Sequence, residues 1–262
     1  MSRATQAELL EQRIVENTSA QEIDLGAWIF ERLRVEPGAR ILELCCGTGG
    51  QTILLLERVG VRGAVIALDT SRAALSALAS KAATCNGGKL TCIEGRLEDF
   101  SPALLRAGQP QDGFDLIFCA YGLYYSADAE KTLREARTHL RPGGRIAIVG
   151  PFGPNNKPLF DLVRAAGASI SETVIYSSES FMVHTVLPWG ARNFAALSVH
   201  TMVNRVRWTT ADRVLNYWKN STFYDEAAQA KFENLLRLHF SEHSAFVNEK
   251  WVMMAEMSDA RA

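Results

Sequence analysis

The stretch ILELCCGTGG, Ile41 to Gly50, decides how the rest of the chain is read. Two apolar positions, Ile41 and Leu42, lead to an acid, Glu43, and Leu44-Cys45-Cys46 follow before Gly47-Thr48-Gly49, where the chain has to turn sharply. A short apolar run that stops at glycines is how a strand buried on both faces looks, and the glycines permit a tight turn into a helix with close approach of a ligand to the backbone. Such a turn serves several kinds of nucleotide-derived ligand and also occurs as a purely structural loop, so it fixes a local geometry before it fixes a chemistry.

Working outward, the same alternation recurs. AVIAL (64–68), LTCIE (90–94), DLIFCA (115–120) and RIAIVG (145–150) are short apolar runs separated by longer stretches with helical spacing. Strands alternating with helices specify a doubly wound, mostly parallel α/β sheet. Thr70 or Ser71 is placed to cap the helix after the second run, with Asn86-Gly87-Gly88 to end it, and Ser101-Pro102 reads as an N-cap followed by a first-turn proline. Before the first run, residues 21–34 carry Ile23, Leu25, Trp28, Ile29 and Leu33 at helical recurrence. After Pro151 glycine thins out, and the region holds four of the five histidines; three of the five tryptophans fall within 151–245. The expected division is therefore an N-terminal helical segment (1–37), a core (38–150), a largely helical lid insertion (151–245) and a final strand, FVNEKWVMMAEM (246–257).

Bulk properties narrow the function. Lys plus Arg (28) nearly balance Asp plus Glu (29), without the basic footprint of a nucleic-acid binder. The five cysteines form neither paired metal spacing nor a disulfide framework, which leads us to expect a reducing, cytoplasmic setting and no metal. The N-terminus is polar, and no apolar run approaches the ~20 residues that span a bilayer, so neither export nor membrane insertion is expected. Oligomeric state is not written in the sequence.

Four further features bear on the glycine turn. Asp69 ends the second strand, where a carboxylate can accept ribose hydroxyls, although a helix-capping acid would look the same. Arg96-Leu97 falls at the tip of the third strand. FDLIFCAYGLYY (114–125) is a buried strand opening into a small and aromatic turn, and HLRPGGRIAIVG (139–150) ends a helix at Pro142-Gly143-Gly144 before the fifth strand. In this order the segments resemble motif I, the ribose-binding acid, the adenine segment, motif IV and the Leu-x-Pro-Gly-Gly turn of the class I S-adenosylmethionine-dependent methyltransferases of the small-molecule type.

The resemblance covers roughly residues 38–150 and implies a Rossmann-like, seven-stranded sheet whose last strand is antiparallel. It implies S-adenosylmethionine as cofactor. The Gly47-Thr48-Gly49 backbone would follow the methionine portion and ribose, Asp69 would hold the ribose hydroxyls, and Glu43 would orient the amino group or the loop. Cys45, Thr70, Arg96, Leu97 and Cys119, at the tips of neighbouring strands, complete the expected cofactor set. Two positions depart from the family pattern. Cys45 stands where glycine is usual, and Arg96 where an acid is common, leaving Glu98, Asp99 or the backbone of Leu97 to meet the adenine.

The rival readings are a nicotinamide-dependent oxidoreductase and a binding protein that keeps the cofactor pocket without catalysis. The dinucleotide fingerprint G-x-G-x-x-G would require glycine where Thr52 stands, and Thr52 would hinder the close helix packing that glycine permits. The Asn/Asp-Pro-Pro-aromatic motif of nucleic-acid amino-methylating enzymes is absent, and Cys119 follows Phe118 instead of the proline used by cytosine-methylating enzymes, so a small-molecule acceptor is expected. Methyl transfer from a sulfonium can proceed by positioning alone, but a hydroxyl acceptor needs a base. Candidates are Tyr121, Tyr124 and Tyr125 after the fourth strand, with His184 and His200 further on; Tyr124, Tyr125 and His184 are taken as the catalytic set, although each equally suits a lining role.

Overall fold

The structure, a computed structural model, describes residues 7–110 and 113–259. Two helices, α1 (Ala7–Thr18) and α2 (Leu25–Arg32), lead into the alternating part of the chain. There β1 (Arg40–Leu44), α3 (Gly50–Val59), β2 (Ala64–Asp69), α4 (Arg72–Ala82), β3 (Lys89–Glu94), α5 (Phe100–Arg106), β4 (Phe114–Ala120), α6 (Ala129–Thr138) and β5 (Leu140–Pro151) follow one another. Next come α7 (Lys157–Ala165), α8 (Glu172–Ile175), α9 (Leu187–Asn193), β6 (Ala196–Trp208), α10 (Ala211–Lys219), α11 (Gln229–Glu242) and β7 (Phe246–Ser258). The seven strands form one sheet in the order β3-β2-β1-β4-β5-β7-β6. The first five are parallel, and β7 runs against them, as expected for a Rossmann-like methyltransferase sheet.

The register sets up the functional edge. Leu44 lies between Leu68 of β2 and Cys119 of β4, so the residues that follow each of these strands emerge side by side. Ile41, Leu42, Val65, Ala67, Ile117, Phe118, Ile146 and Ala147 are buried, which leaves loops at the strand tips as the places where polar chemistry can collect. Ser71 caps α4 by accepting from the Ala74 N–H.

Three local expectations change for identifiable reasons. The helix expected over 21–34 is confined to Leu25–Arg32, because Gln21 bridges antiparallel to Val206 and the Glu22 N–H donates to the Arg205 carbonyl. Ser101 is not an N-cap: α5 starts one residue earlier, and the Ser101 hydroxyl is hydrogen-bonded to the buried His139 ring. The fifth strand begins at Leu140, ahead of the proline-glycine turn, and absorbs it as an irregularity in its pairing with β4 between Phe114 and Leu116.

Internal packing divides the chain into two units. One contains Leu25–Gly150, Met182–His200 and the chain from Met253 onward; the other contains the chain up to Asp24, Pro151–Phe181 and Thr201–Val252. The linear division into 1–37 and 151–245 therefore gives way to a spatial one. Residues 182–200 pack with the first unit because glycines there admit their side chains: a Cβ at Gly150 would lie 2.9 Å from the Met182 sulfur, and one at Gly190 would lie 2.7 Å from that of Met257. The second unit has its own core, built from Leu159, Val163, Trp208, Trp218, Phe232 and their neighbours.

In the second unit, buried Asn204 substitutes for a strand partner. Its side-chain oxygen accepts from the Ile23 N–H at 3.0 Å, and its amide donates to the Ile23 carbonyl at 2.7 Å. Asn204→Ala is expected to strand both backbone groups and cost about 1–3 kcal/mol. Urea unfolding followed by tryptophan fluorescence would measure it, and an unchanged midpoint would show that the Gln21–Val206 bridge and the Glu22–Arg205 hydrogen bond suffice.

Candidate functional site

The loop after β1 is shaped by alternating left-handed residues. Cys45 has φ 58°, Gly47 54° and Gly49 87°. For Gly47 and Gly49 glycine makes this conformation cheap, and at Gly49 a Cβ would also strike the Leu78 side chain at 2.3 Å. Cys45 carries a side chain through the same conformation, which gives a physical reason why glycine is usual at this position in the family it resembles. The Gly49 N–H closes on the Cys46 carbonyl, and the Cys46 N–H on that of Leu68. From α4, the Lys81 ammonium reaches the Thr48 carbonyl at 3.2 Å.

Asp69 organises this loop. One carboxylate oxygen accepts from the Gly47 N–H at 2.8 Å and the other from the Ser71 N–H at 2.9 Å. The expected ribose-binding acid thus also ties the loop after β1 to the start of α4. Thr70, between its two anchors, is exposed.

Glu43 lies beneath the loop and is 2% exposed. Burial, only partly offset by the Thr52 hydroxyl and reinforced by the negative charge of Asp69, pushes its carboxyl from 4.5 up to about 8. One of its oxygens, Oε2, has no hydrogen-bond partner. A buried acid with an unused oxygen below a glycine loop is suited to receive a cationic group of a ligand.

Cys45 and Cys119 meet across the β1–β4 pair. The shared hydrogen bond and burial hold the Cys45 thiol well above the ordinary thiol range, so it is a neutral packing group and not a thiolate nucleophile. Gly122 closes over both sulfurs, and a Cβ there would come within 2.2 Å of the Cys45 Cβ and 3.2 Å of the Cys119 sulfur. The residue before it, Tyr121, is also left-handed, at φ 56°, with its N–H on the Val149 carbonyl. Two side-chain-bearing residues in this region, at neighbouring strand tips, mark a place where the fold sustains strain.

Arg96 and Leu97 stand one strand further out, at the tip of β3. Arg96 is exposed and pairs with Glu98 at 3.3 Å; Leu97 is buried. Glu98 accepts from the Ala127 N–H at 2.9 Å, lashing the loop after β3 to the loop after β4. Burial alone would raise its carboxyl, but the Ala127 N–H, its own backbone N–H and Arg96 outweigh this and hold it below the usual carboxylate range. It is therefore committed to the scaffold, which leaves the Leu97 backbone and Asp99 among the groups expected to meet an adenine.

The turn Leu123–Tyr125 and the π-helical turn Met182–Val186 both pack against α6. Tyr124 and Tyr125 stack obliquely, ring centroids 4.7 Å apart, with Tyr125 53% exposed, and His184 is also exposed. The sequence did not reveal Ser71, Lys81, Gly122 or Met182 as parts of this edge; only the helix-capping spacing of Ser71 carried a signal. Among the described residues no group of three or more His, Cys, Asp or Glu is arranged to hold a metal.

Residues 41–144 match the methyltransferase domain family. The stretch is thus similar in sequence, strand order and loop geometry to a class I methyltransferase domain. The 2-phytyl-1,4-naphtoquinone methyltransferase of Synechococcus elongatus is 35% identical over 122 residues, which are 45% of this chain and 50% of that protein. The demethylmenaquinone methyltransferase of Lactobacillus johnsonii is 30% identical over 127 residues, 48% of this chain and 50% of that protein. The chain thus spans about half the length of these curated relatives. A putative type II methyltransferase from Anaeromyxobacter dehalogenans shares the fold, with TM-score 0.58 and 20% identity over 91% of this chain and 96% of that one.

Two outcomes follow from this geometry. A carboxyl raised from 4.5 to about 8 contributes stability that is fully present below the lower value and is lost as pH rises toward the upper one. Thermal unfolding of the free protein should show that loss, and Glu43→Gln should flatten it; an equal slope in the variant would place the titration elsewhere. Gly122→Ala should lower the melting temperature because its methyl collides with Cys45, and adding Cys45→Gly should recover most of the loss. Additive losses in that double-mutant cycle would show that the two sites do not meet.

Proposed function

We propose that the protein transfers a methyl group from S-adenosylmethionine to a small-molecule acceptor. The carrying observation is the Asp69 carboxylate holding the Gly47 N–H beside the buried, unsatisfied Glu43. This arrangement fits the cofactor by its own chemistry. Its acids suit ribose hydroxyls and the cationic methionine end, the left-handed loop permits close backbone approach, and no phosphate has to be neutralised. The methyl group and its sulfonium leaving group come with the cofactor; the chain's residues hold it, exclude water and orient the acceptor.

The names of the quinone methyltransferases among its relatives, and the stacked pair of half-buried Tyr124 and exposed Tyr125, support an apolar or ring-bearing acceptor. Tyr124, Tyr125 and His184 remain the candidates for receiving an acceptor proton, from turns that share α6 as their support. No described helix is long and apolar enough to cross a membrane, and all five cysteines are free, which supports a reducing, cytoplasmic setting.

Isothermal titration tests the cofactor assignment. S-adenosylhomocysteine should bind without added metal and NAD should not; strong NAD binding would favour the oxidoreductase reading, for which buried Thr52 is the wrong residue. Turnover of any acceptor excludes a binding protein without catalysis. With an acceptor in hand, Tyr125→Phe or His184→Ala should lower kcat and leave S-adenosylhomocysteine affinity unchanged, because a base acts in the transition state. Unchanged kcat in both, and in Tyr124→Phe, would indicate an acceptor methylated by positioning alone.

A further inference from the structure

The second unit contains a cationic cluster that lies entirely outside residues 41–144 and has no part in the cofactor site. Its anchor is the turn after β5, where Asn156 adopts φ 62° and its N–H is fixed on the Glu249 carbonyl of β7. The Asn156 side-chain oxygen accepts from the Lys250 ammonium at 2.5 Å and from the Asn248 amide at 2.9 Å. Lys250 also donates to the Tyr217 hydroxyl at 2.7 Å and lies over that ring, 4.3 Å from its centroid. Arg13 and Asn17 of α1 reach the same hydroxyl's surroundings.

The cluster is unbalanced in charge and in hydrogen bonding. The Lys250 ammonium bonds a buried phenol on which the Arg13 charge also acts, and among the described residues neither Lys250 nor Arg13 forms an ion pair with a carboxylate. Three buried atoms have no partner: Arg13 Nε, Asn17 Oδ1 and Asn248 Oδ1, the last on a side chain that is fully buried. Unpaired buried polar groups are costly, so a set of one donor and two acceptors around two cations calls for a complement. Burial would raise the Tyr217 hydroxyl, yet the Lys250 charge and hydrogen bond, with Arg13 and Asn17, hold it below the usual phenol range, in keeping with an excess of positive charge here.

We propose that Lys250, Arg13 and Tyr217, framed by Asn17, Asn156 and Asn248, bind the oxyanion of a small molecule that also carries a hydrogen-bond donor. The oxyanion faces Lys250 and Arg13, and the donor satisfies the free oxygen of Asn248. A phenolate with a neighbouring hydroxyl and a hydroxylated carboxylate share this chemistry. The site is independent of methyl transfer, and binding can be read without cofactor.

The test uses the full chain and two probes. 4-Nitrocatechol represents the phenolate source and is followed by its visible absorbance on ionisation; 4-hydroxybenzoate represents the carboxylate source and is followed by calorimetry. Saturable binding of one equivalent of either probe is expected, weakened at least about tenfold by Lys250→Met and largely recovered in Lys250→Arg. Tyr217→Phe, which keeps the ring and removes the oxygen, gives a second reading if Lys250→Met fails to fold. Failure of both probes to saturate, or equal affinity in folded Lys250→Met and Tyr217→Phe, would overturn the proposal. S-adenosylhomocysteine binding in the same preparations is a separate measurement, so loss of one assignment leaves the other standing.

Discussion

The hydrogen bond from the Gly47 N–H to the Asp69 carboxylate is the constraint on which the functional edge depends. It joins the loop after β1 to the tip of β2, and its companion from Ser71 carries the same carboxylate into the first turn of α4. A carboxylate accepting two backbone N–H groups is a strong, directional tie. Without it the left-handed sequence Cys45, Gly47, Gly49 would be held by its own turn, by the Cys46–Leu68 bond and by the Lys81 ammonium on the Thr48 carbonyl. The parallel sheet makes the tie possible by bringing both strand tips to the same edge in register.

Beneath that tie, Glu43 and the cysteines show two uses of burial. For Glu43, burial makes the neutral acid the stable form in the free protein and leaves an oxygen unsatisfied, a state that a cationic ligand group relieves. For Cys45, the hydrogen bond shared with Cys119 and burial suppress ionisation, so its sulfur fills space below Gly122 and does no acid–base or nucleophilic work. The same low-dielectric surroundings therefore prime Glu43 for a ligand and silence the Cys45 thiol.

The polar inventory of the second unit follows different rules. Its aromatic core is closed by Trp208, Trp218 and Phe232, and its buried amides serve as backbone surrogates or as mounts for charge. Asn204 completes the pairing of Ile23, whereas Asn156 accepts from two donors at once and thereby positions Lys250. Asparagine suits both duties because it combines donor and acceptor in one short side chain and tolerates the left-handed conformation.

The sequence by itself determined the alternating sheet, the glycine loop and its two acids, because apolar runs and glycine turns are local signals with short periods. Glu43, Gly47, Gly49, Asp69 and Cys119 could be placed at strand tips from those signals alone, and the resemblance to a known family supplied their order. Tertiary structure alone decided the rest. That Asp69 binds Gly47, that Cys45 lies under Gly122, that residues 182–200 pack with the sheet unit and that Lys250 meets Tyr217 and Asn156 are contacts between segments far apart in the chain. Composition changes slowly along a sequence and marked 151–245 as one block. The division followed instead where a glycine leaves room for a distant side chain, and that depends on register and packing, which no local pattern encodes.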